Sequence, residues 1–229
     1  MSFGVEANLR QVRQDILAAC AKAGRDPSEV TLVAVSKHQP TEAVLEALAA
    51  GQLDFGENYA QELRDKAREL ASGPRWHYIG PLQRNKAKYV VGTACLVHTL
   101  DSEKLLGALE ERAAALGTGL EVLLQVNLVE EPQKSGASLG EVASLLDAFA
   151  GAPHVFCRGL MLMPPWDPDP EAARPLFAEL RRLRDSLAAT PRPNVSLTHL
   201  SMGMSHDFHV AIEEGATLVR VGTAIFGER

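Results

Sequence analysis

The chain has 229 residues, enough for one large α/β domain, and 46% of them are hydrophobic, so a sizeable buried core is expected. Its net charge of −6 argues against a nucleic-acid-binding surface built on bulk positive charge. Its three cysteines lack metal-ligand spacing and favour free thiols in a reducing cytoplasm, and no apolar run is long enough for a membrane span.

Helix and strand patterns alternate along the whole chain. An amphipathic helix comes first, with apolar residues at positions 5, 9, 12 and 16 and a stop at Gly24. A Ser138…Glu141 capping box opens the helix that follows the fifth strand. The eight predicted strands are VTLVAVS, LDFGE, RWHYIG, CLVHTL, LEVLLQVNL, VFCRGLMLM, VSLTHLSMG and TLVRVG.

This alternation predicts an α/β fold with a parallel sheet and right-handed crossovers. Eight units in this length favour a single (β/α)8 TIM-type barrel with an extra N-terminal helix, forming one domain over residues 1–229. A doubly wound open sheet is the alternative. Its GxGxxG fingerprint does not follow the first strand, so we expect the barrel.

The carboxyl ends of barrel strands meet at one face, where functional residues collect. The seventh predicted strand ends with Ser201 and Gly203, and the eighth ends with Gly222 and Thr223. Glycine lets a backbone approach an oxyanion, and hydroxyl groups donate further hydrogen bonds, so these two strand ends predict a phosphate site. Ordinary turn glycines with a capping serine are the alternative.

Lys37 ends the first apolar strand, where a charged amine is costly unless something uses it. A neutral lysine attacks an aldehyde to form a Schiff base, and burial or a nearby cation such as Arg220 would lower its pKa. Opposite a phosphate site, this amine indicates a phosphorylated aldehyde, either pyridoxal 5′-phosphate or the sugar phosphate of an aldolase. The alternative is a lysine that extends to solvent.

Six segments resemble the pyridoxal-phosphate homeostasis protein family, whose fold is similar to the barrel domain of alanine racemases. They are VAVSKHQP, FGENYAQEL, WHYIGPLQRNKAKYV, EPQKSG, GLMLM and LSMGMSHDFHVAIEEGATLVRVGTAIFG. The resemblance implies pyridoxal 5′-phosphate joined to Lys37, with Arg220 facing the pyridine nitrogen and Asn58 near the ring. It also implies phosphate contacts from Ser201, Gly222 and Thr223, and pocket lining by His77 and Met163. A satisfied core histidine is the alternative for His77.

The resemblance implies a protein that binds the cofactor and supplies it to apoenzymes, without an established reaction. Alanine racemases add a β-rich domain with a catalytic tyrosine, which we do not expect here, so a monomer is expected. An arginine at the ring nitrogen leaves the ring unprotonated and a poorer electron sink. A racemase-like enzyme with weak activity remains the alternative function.

Two charged groups of residues stand outside this expected site. Lys86, Lys88 and Lys134 form a predicted basic patch that guides transfer of the anionic cofactor, with ordinary solvated charge as the alternative. His206 and His209 have the i, i+3 spacing of a metal-binding pair, but no third ligand is evident, so a solvated helix face is expected.

Overall fold

Apolar runs of four to ten residues form the strands of a closed parallel barrel in the computed structural model, which describes residues 4–70, 72–129 and 135–227. The strands are β1 Thr31–Val35, β2 Asp54–Glu57, β3 Arg75–Tyr78, β4 Leu96–Leu100, β5 Leu120–Asn127, β6 Ala137–Ser138, β7 Val155–Met161, β8 Val195–Met204 and β9 Leu218–Val221. The barrel strands pair in the order β4-β3-β2-β1-β9-β8-β7-β5, and pairing of β4 with β5 closes the barrel. The predicted (β/α)8 barrel is confirmed.

One short strand was not expected from the sequence. The two-residue β6 pairs with Val126 and Asn127, at the part of β5 that extends past the barrel. Gly136, with φ of 128°, turns the chain into β6, and this strand leads directly into the Ser138–Glu141 capping box, which is confirmed. The sequence hid β6 because two residues are too few to show any periodicity.

Helices surround the barrel in the outer layer. They are α1 Val5–Ala23, α2 Thr41–Ala49, α3 Ala60–Glu69, α4 Ala87–Val90, α5 Glu103–Leu116, α6 Leu139–Asp147, α7 Arg174–Ala188, α8 Phe208–Glu213 and α9 Thr223–Phe226, with short 3-10 turns at Pro27–Glu29, Arg84–Lys86, Ala148–Gly151 and Pro170–Ala173. None of these described helices combines the length and the apolar character that crossing a bilayer requires.

The extra N-terminal helix α1 packs on α2, α8 and α9. Its four predicted apolar positions are all buried, and Gly24 ends it in the left-handed conformation with φ of 65°. The Asn8 amide donates to the Ile225 carbonyl, and Arg25 donates to the Ile212 and Ala216 carbonyls. Helix α1 and the residues that follow it therefore hold the last two helices in place through packing and hydrogen bonds.

Replacing Leu9 with alanine is expected to lower the free energy of unfolding by about 2–5 kcal/mol, because the removed side chain is fully buried. Leu17→Ala on the same helix is the matched control, since Leu17 is 52% exposed, and its change should stay within about 0.5 kcal/mol. Urea denaturation of both variants measures the difference. Equal losses would show that α1 does not pack on the barrel through the Leu9 face.

Candidate functional site

Polar residues from three strands that are neighbours in the barrel meet at its carboxyl end. All barrel pairings are parallel, so Lys37 after β1, Ser205 after β8, and Gly222 with Thr223 after β9 lie on the same face. Strand β9 pairs with both β1 and β8, which places its end between the other two. The parallel topology therefore places Lys37, Gly222 and Thr223 on one face of the barrel.

The turn that carries Lys37 is held on both sides of the lysine. The Ser36 amide donates to the Gly56 carbonyl at 3.0 Å, and the Ser36 hydroxyl donates to Glu57 Oε1 at 2.7 Å. The His38 amide donates to Glu62 Oε1 at 2.6 Å, and His38 itself has φ of 61°, a left-handed conformation that non-glycine residues rarely adopt. Lys37 is half-buried within this fixed turn.

A second lysine, Lys66 of α3, lies beneath the same turn. Its Nζ donates to the Ser36 carbonyl at 2.6 Å and to Glu57 and Glu62 at 2.8 Å each. Both Lys66 and Glu57 are buried. Burial raises the pKa of the Glu57 carboxyl, and the neighbouring Lys66 and Ser36 only partly offset that effect. The Lys66–Glu57 pair therefore links α3 and β2 to the backbone beside Lys37.

Sequence reasoning missed Lys66 and Glu57 as supports of this turn. In the sequence, Glu62 and Lys66 have the i, i+4 spacing of an ordinary exposed helix pair. Nothing in the local pattern of α3 shows that Lys66 points inward. In the sequence, Glu57 is recognisable only as a polar residue at the end of a predicted strand.

Gly222 brings the end of β9 against the end of β1. A β-carbon on Gly222 would lie 3.2 Å from Val35 Cβ and 3.3 Å from the Val35 carbonyl oxygen, so a side chain there would crowd the end of β1, two residues before Lys37. The Gly222 amide donates to Ser205 Oγ at 3.2 Å, and exposed Thr223 follows directly. Ser205, Gly222 and Thr223 thus form a small polar group beside Val35, which lies two residues before Lys37 in the chain.

Ser201 lies deeper than the sequence suggested. It is fully buried, and its Oγ lies 2.5 Å from Arg220 Nη1 and 2.8 Å from His98 Nδ1. This placement favours a role below the strand ends rather than a contact with a phosphate at the mouth. Ser205, which sequence reasoning missed, is the hydroxyl that contacts the Gly222 amide.

Gly203 lies in β8 with φ of 90°. A β-carbon on it would lie 2.6 Å from Ala211 Cβ and 2.9 Å from Phe208 Cα, so this glycine permits α8 to approach the strand closely. The register of β8 against β9 shifts between Ser201 and Met204. Gly203 therefore shapes the end of β8 that presents Ser205.

Arg220 is a buried cation inside the barrel. Its Nη2 donates to the Leu162 carbonyl at 3.0 Å, and Nη1 donates to Ser201. Burial lowers the pKa of Arg220 to about 10, while Asp207 has the opposite, smaller effect. The guanidinium therefore stays protonated at neutral pH and can donate a hydrogen bond to an acceptor above it.

His77 has both ring nitrogens engaged within the core. Its Nε2 lies 3.0 Å from Asp54 Oδ1, and its Nδ1 lies 3.0 Å from His98 Nε2. This arrangement matches the alternative of a satisfied core histidine, which does not need contact with a ligand at the mouth. Although burial alone would lower it, the Asp54 carboxylate and the Cys95 thiol raise the pKa of His77 to about 9.

Asn58 and Met163 lie toward the mouth. Asn58 Oδ1 is buried and has no hydrogen-bond partner among the described residues. Met163 is 43% exposed and lines a cavity of about 280 Å³ with Ile79, Thr99 and Gln125, all near carboxyl ends of strands. Both residues thus have surface available to a ligand, and their contact with a cofactor stays a prediction.

The predicted basic patch lies on the outer helices. The ammonium groups of Lys86 and Lys88 lie 5.7 and 5.1 Å from the Tyr89 ring centroid, at a groove of about 750 Å³ that Lys88 lines together with Arg68 and Arg112. Lys134 falls outside the described residues. Of the two predicted paired histidines, His206 directs its Nε2 to the Pro168 carbonyl at 3.0 Å.

Protonation of His77 predicts how stability depends on pH. Its pKa is about 9 in the folded chain and 6.5 ordinarily, so its stabilising contribution is complete below pH 6.5 and is lost as pH rises to 9. We expect the free energy of unfolding to fall by up to about 3 kcal/mol across this interval. The groups that face the ring are Asp54, Cys95 and His98, and Arg75 pairs with Asp54.

Denaturant titrations at several pH values measure this slope. His77→Gln should flatten it, whereas His199→Gln, which alters a half-buried histidine on β8, should keep it. Cys95→Ala separates the contribution of the thiol. A wild-type protein whose stability stays constant between pH 6.5 and 9 would contradict the raised pKa.

Comparison with known proteins places the chain in a family. Residues 7–229 match the model described as alanine racemase, N-terminal domain. The chain is 43% identical over 222 residues to the pyridoxal phosphate homeostasis protein of Aquifex aeolicus, covering 96% of each chain. It is 42% identical over 226 residues to the protein of that name from Escherichia coli K12, covering 97% of this chain and 95% of the other.

Solved structures agree with these matches. The structure of PipY from Synechococcus elongatus with PLP bound superposes with a TM-score of 0.86 and 36% identity, covering 97% of this chain and all of PipY. Alanine racemase from Corynebacterium glutamicum, at 17% identity and a TM-score of 0.70, shares the fold over 96% of this chain and 61% of its own. The chain belongs to the pyridoxal phosphate homeostasis protein family and has the barrel fold of the alanine racemase N-terminal domain.

Proposed function

We propose that this protein binds pyridoxal 5′-phosphate at the mouth of its barrel and acts in the intracellular homeostasis of that cofactor, including its supply to apoenzymes. The observation that carries the proposal is the close approach of Gly222 to Val35, because it brings the turn that contains Lys37 next to the group formed by Ser205, Gly222 and Thr223. The PLP-bound structure of PipY and the names of the relatives support the same cofactor.

The residues present fit this cofactor. A phosphate monoester needs amide and hydroxyl donors, which Ser205, Gly222 and Thr223 supply at adjacent strand ends. A pyridine ring needs a donor or acid opposite its nitrogen, which Arg220 supplies. Buried Asn58 Oδ1, without a partner among the described residues, is the kind of atom that a bound polar ligand would satisfy.

Each residue has a separate part in binding. Lys37 Nζ would condense with the aldehyde to form a Schiff base, releasing one water. Ser205 and Thr223 would donate their hydroxyls to the phosphate, and the Gly222 amide would turn to a phosphate oxygen from Ser205 Oγ, to which it donates at 3.2 Å in the free protein. Arg220 would donate to the ring nitrogen, and Ser201 would support Arg220 from below. Met163 and Asn58 would line the ring.

The bound cofactor would supply an electrophilic carbon and an electron-withdrawing ring. Arg220 keeps its proton near neutral pH, so it leaves the ring nitrogen unprotonated. An unprotonated ring withdraws electrons less strongly, which favours holding and releasing the cofactor over rapid carbanion chemistry. The residues at the mouth of the barrel would then bind and orient the cofactor rather than catalyse a reaction on it.

Removing one hydroxyl of the phosphate group is expected to weaken binding selectively. Ser205→Ala or Thr223→Ala should each raise the Kd for pyridoxal 5′-phosphate about tenfold, the loss of one charge-assisted hydrogen bond. The Kd for pyridoxal, which lacks the phosphate, should stay unchanged. Ser144→Ala, an exposed hydroxyl on α6, is the matched control. An equal rise in Kd for both ligands would show that Ser205 and Thr223 do not contact the phosphate.

Transfer to an apoenzyme tests the function itself. Loaded protein is mixed with a PLP-dependent apoenzyme, and the rate of enzyme activation is compared with that given by the same amount of free cofactor. Activation of the apoenzyme in the presence of a reagent that captures free aldehyde supports the proposal. Absence of activation by the loaded protein contradicts it. Rapid α-proton exchange of amino acids in deuterated water would instead establish the racemase-like alternative.

Two further parts of the proposal concern partners and state. The protein is proposed to act in the cytoplasm as a monomer, which light scattering after size exclusion tests directly. Lys86 and Lys88 are proposed to guide the anionic cofactor during transfer. Reversing both charges should slow activation of the apoenzyme, and unchanged rates would reject this role.

A further inference from the structure

A line of buried polar side chains crosses the barrel interior from β2 to β9. It begins at Asp54, at the amino end of β2, passes through His77 on β3 and His98 on β4, and reaches Ser201 on β8 and Arg220 on β9. All five residues are buried. Every link is a hydrogen-bond contact of 3.0 Å or less, so the line is continuous.

The protons along this line can be assigned from the contacts. His77 lies between the Asp54 carboxylate, which only accepts, and His98 Nε2. A protonated His77 donates to both. His98 Nε2 must then be an acceptor, so the single proton of neutral His98 is on Nδ1. Burial and the neighbouring His77 and Arg220 cations lower the pKa of His98 well below its ordinary value, which keeps it neutral.

The assignment continues to Arg220. With its proton on Nδ1, His98 donates to Ser201 Oγ at 2.8 Å. Arg220 Nη1 has no lone pair to offer and also donates to Ser201 Oγ, at 2.5 Å. The serine oxygen thus accepts from two sides, and its own hydroxyl proton must point away from both.

Arg220 depends on these neutral partners for its position. Among the described residues no carboxylate forms an ion pair with it, and its side chain donates to the Ser201 hydroxyl oxygen and to the Leu162 carbonyl. A hydroxyl can rotate so that its proton, rather than a lone pair, faces the guanidinium, whereas a carbonyl oxygen presents only lone pairs. Whatever fixes the Ser201 hydroxyl as an acceptor therefore fixes one side of the guanidinium.

We propose that His98 is a positioning residue for Arg220. Held in one tautomer by His77 and Asp54, His98 keeps the Ser201 hydroxyl oriented as an acceptor, and so holds the guanidinium in the orientation that meets the cofactor ring nitrogen. The part that concerns the cofactor rests on the proposed function. The part that concerns the tautomer is a property of the protein alone.

The cofactor-free protein tests the tautomer. Labelling the histidines with ¹⁵N and recording nitrogen chemical shifts near pH 7 should show His77 protonated on both nitrogens and His98 protonated on Nδ1 only. A His98 ring protonated on Nε2 would overturn the proposal, because it could not accept from His77. This result does not depend on whether the protein binds pyridoxal 5′-phosphate.

The loaded protein tests the positioning. His98→Leu and Ser201→Ala should each raise the Kd for pyridoxal 5′-phosphate about tenfold and shift the pH midpoint of its bound absorption band in the same direction. The double variant should be no weaker than either single variant, since both break one line of contacts. His98→Asn should restore wild-type behaviour, because its amide N–H replaces the Nδ1–H donor.

His199→Asn is the matched control, since His199 contacts Thr217 and lies outside this line. A folded His98→Leu protein with wild-type Kd and absorption midpoint would overturn the positioning role. Should His98→Leu fail to fold, Ser201→Ala and the nitrogen shifts decide the question. A wild-type protein that takes up no pyridoxal 5′-phosphate would reject the proposed function instead, and leave the tautomer result standing.

Discussion

Replacing Lys37 with alanine is expected to abolish covalent attachment of pyridoxal 5′-phosphate. Borohydride reduction fixes an imine as a stable adduct, which mass spectrometry detects on the peptide that carries the lysine. In the wild-type protein the adduct should be on Lys37, and Lys37→Ala should reduce total labelling about 100-fold, to the background of exposed lysines. The reason is positional, because Lys37 is the lysine two residues beyond the Val35–Gly222 contact.

Lys104→Ala is the matched control, since Lys104 is exposed in the first turn of α5 and lies outside the Ser36–His38 turn. It should keep full labelling and the visible absorption band. The most informative contrary result is an adduct on Lys66, the other lysine next to the Ser36–His38 turn. That outcome would move the cofactor to the inner side of the turn and exclude the proposed arrangement.

Replacing Lys66 with methionine is expected to have the largest effect on stability. It would leave the Glu57 carboxylate buried without its cation, and breaking a buried pair in this way costs about 3–5 kcal/mol. Glu57 Oε2 already has no partner among the described residues, so little is available to compensate. The free energy of unfolding from urea denaturation measures the loss.

Two comparisons make this prediction specific. Lys22→Met removes an exposed partner of Glu213, with Lys22 68% exposed, and should change stability by less than about 1 kcal/mol. The double variant Lys66→Met with Glu57→Leu should recover part of the loss, because it removes the stranded charge. Hydrogen exchange at the Ser36 and His38 amides should accelerate in Lys66→Met. Unchanged exchange would show that Lys66 does not hold the Lys37 turn.

The barrel was predictable from the sequence because its strands are apolar runs separated by amphipathic helices. The place of Lys37 followed from the same pattern, since it comes directly after the first run. The sequence pattern did not show which of the two serines in this segment lies at the mouth of the barrel. Ser201 and Ser205 flank Gly203, and the register of β8 shifts between Ser201 and Met204, so alternation along the strand cannot show which hydroxyl reaches the strand end.

The interior polar line was hidden for a different reason. His77 and His98 are on neighbouring strands, and their contact depends on the register that pairs His77 with Leu96. That register is set by packing of the whole barrel rather than by residues near either histidine. Lys66 was hidden because a lysine within a charged helix has the same local pattern whether it faces solvent or core.

Pairing of β1 with β9 has a consequence for synthesis on the ribosome. These two strands come from opposite ends of the sequence, and β9 also covers β8. Until Leu218–Val221 emerges, β1 and β8 both present open backbone edges that can join strands of other nascent chains. Chains that stall before this segment should therefore aggregate or require a chaperone. Once β9 has emerged, it can pair with β1 and β8 and cover both open edges.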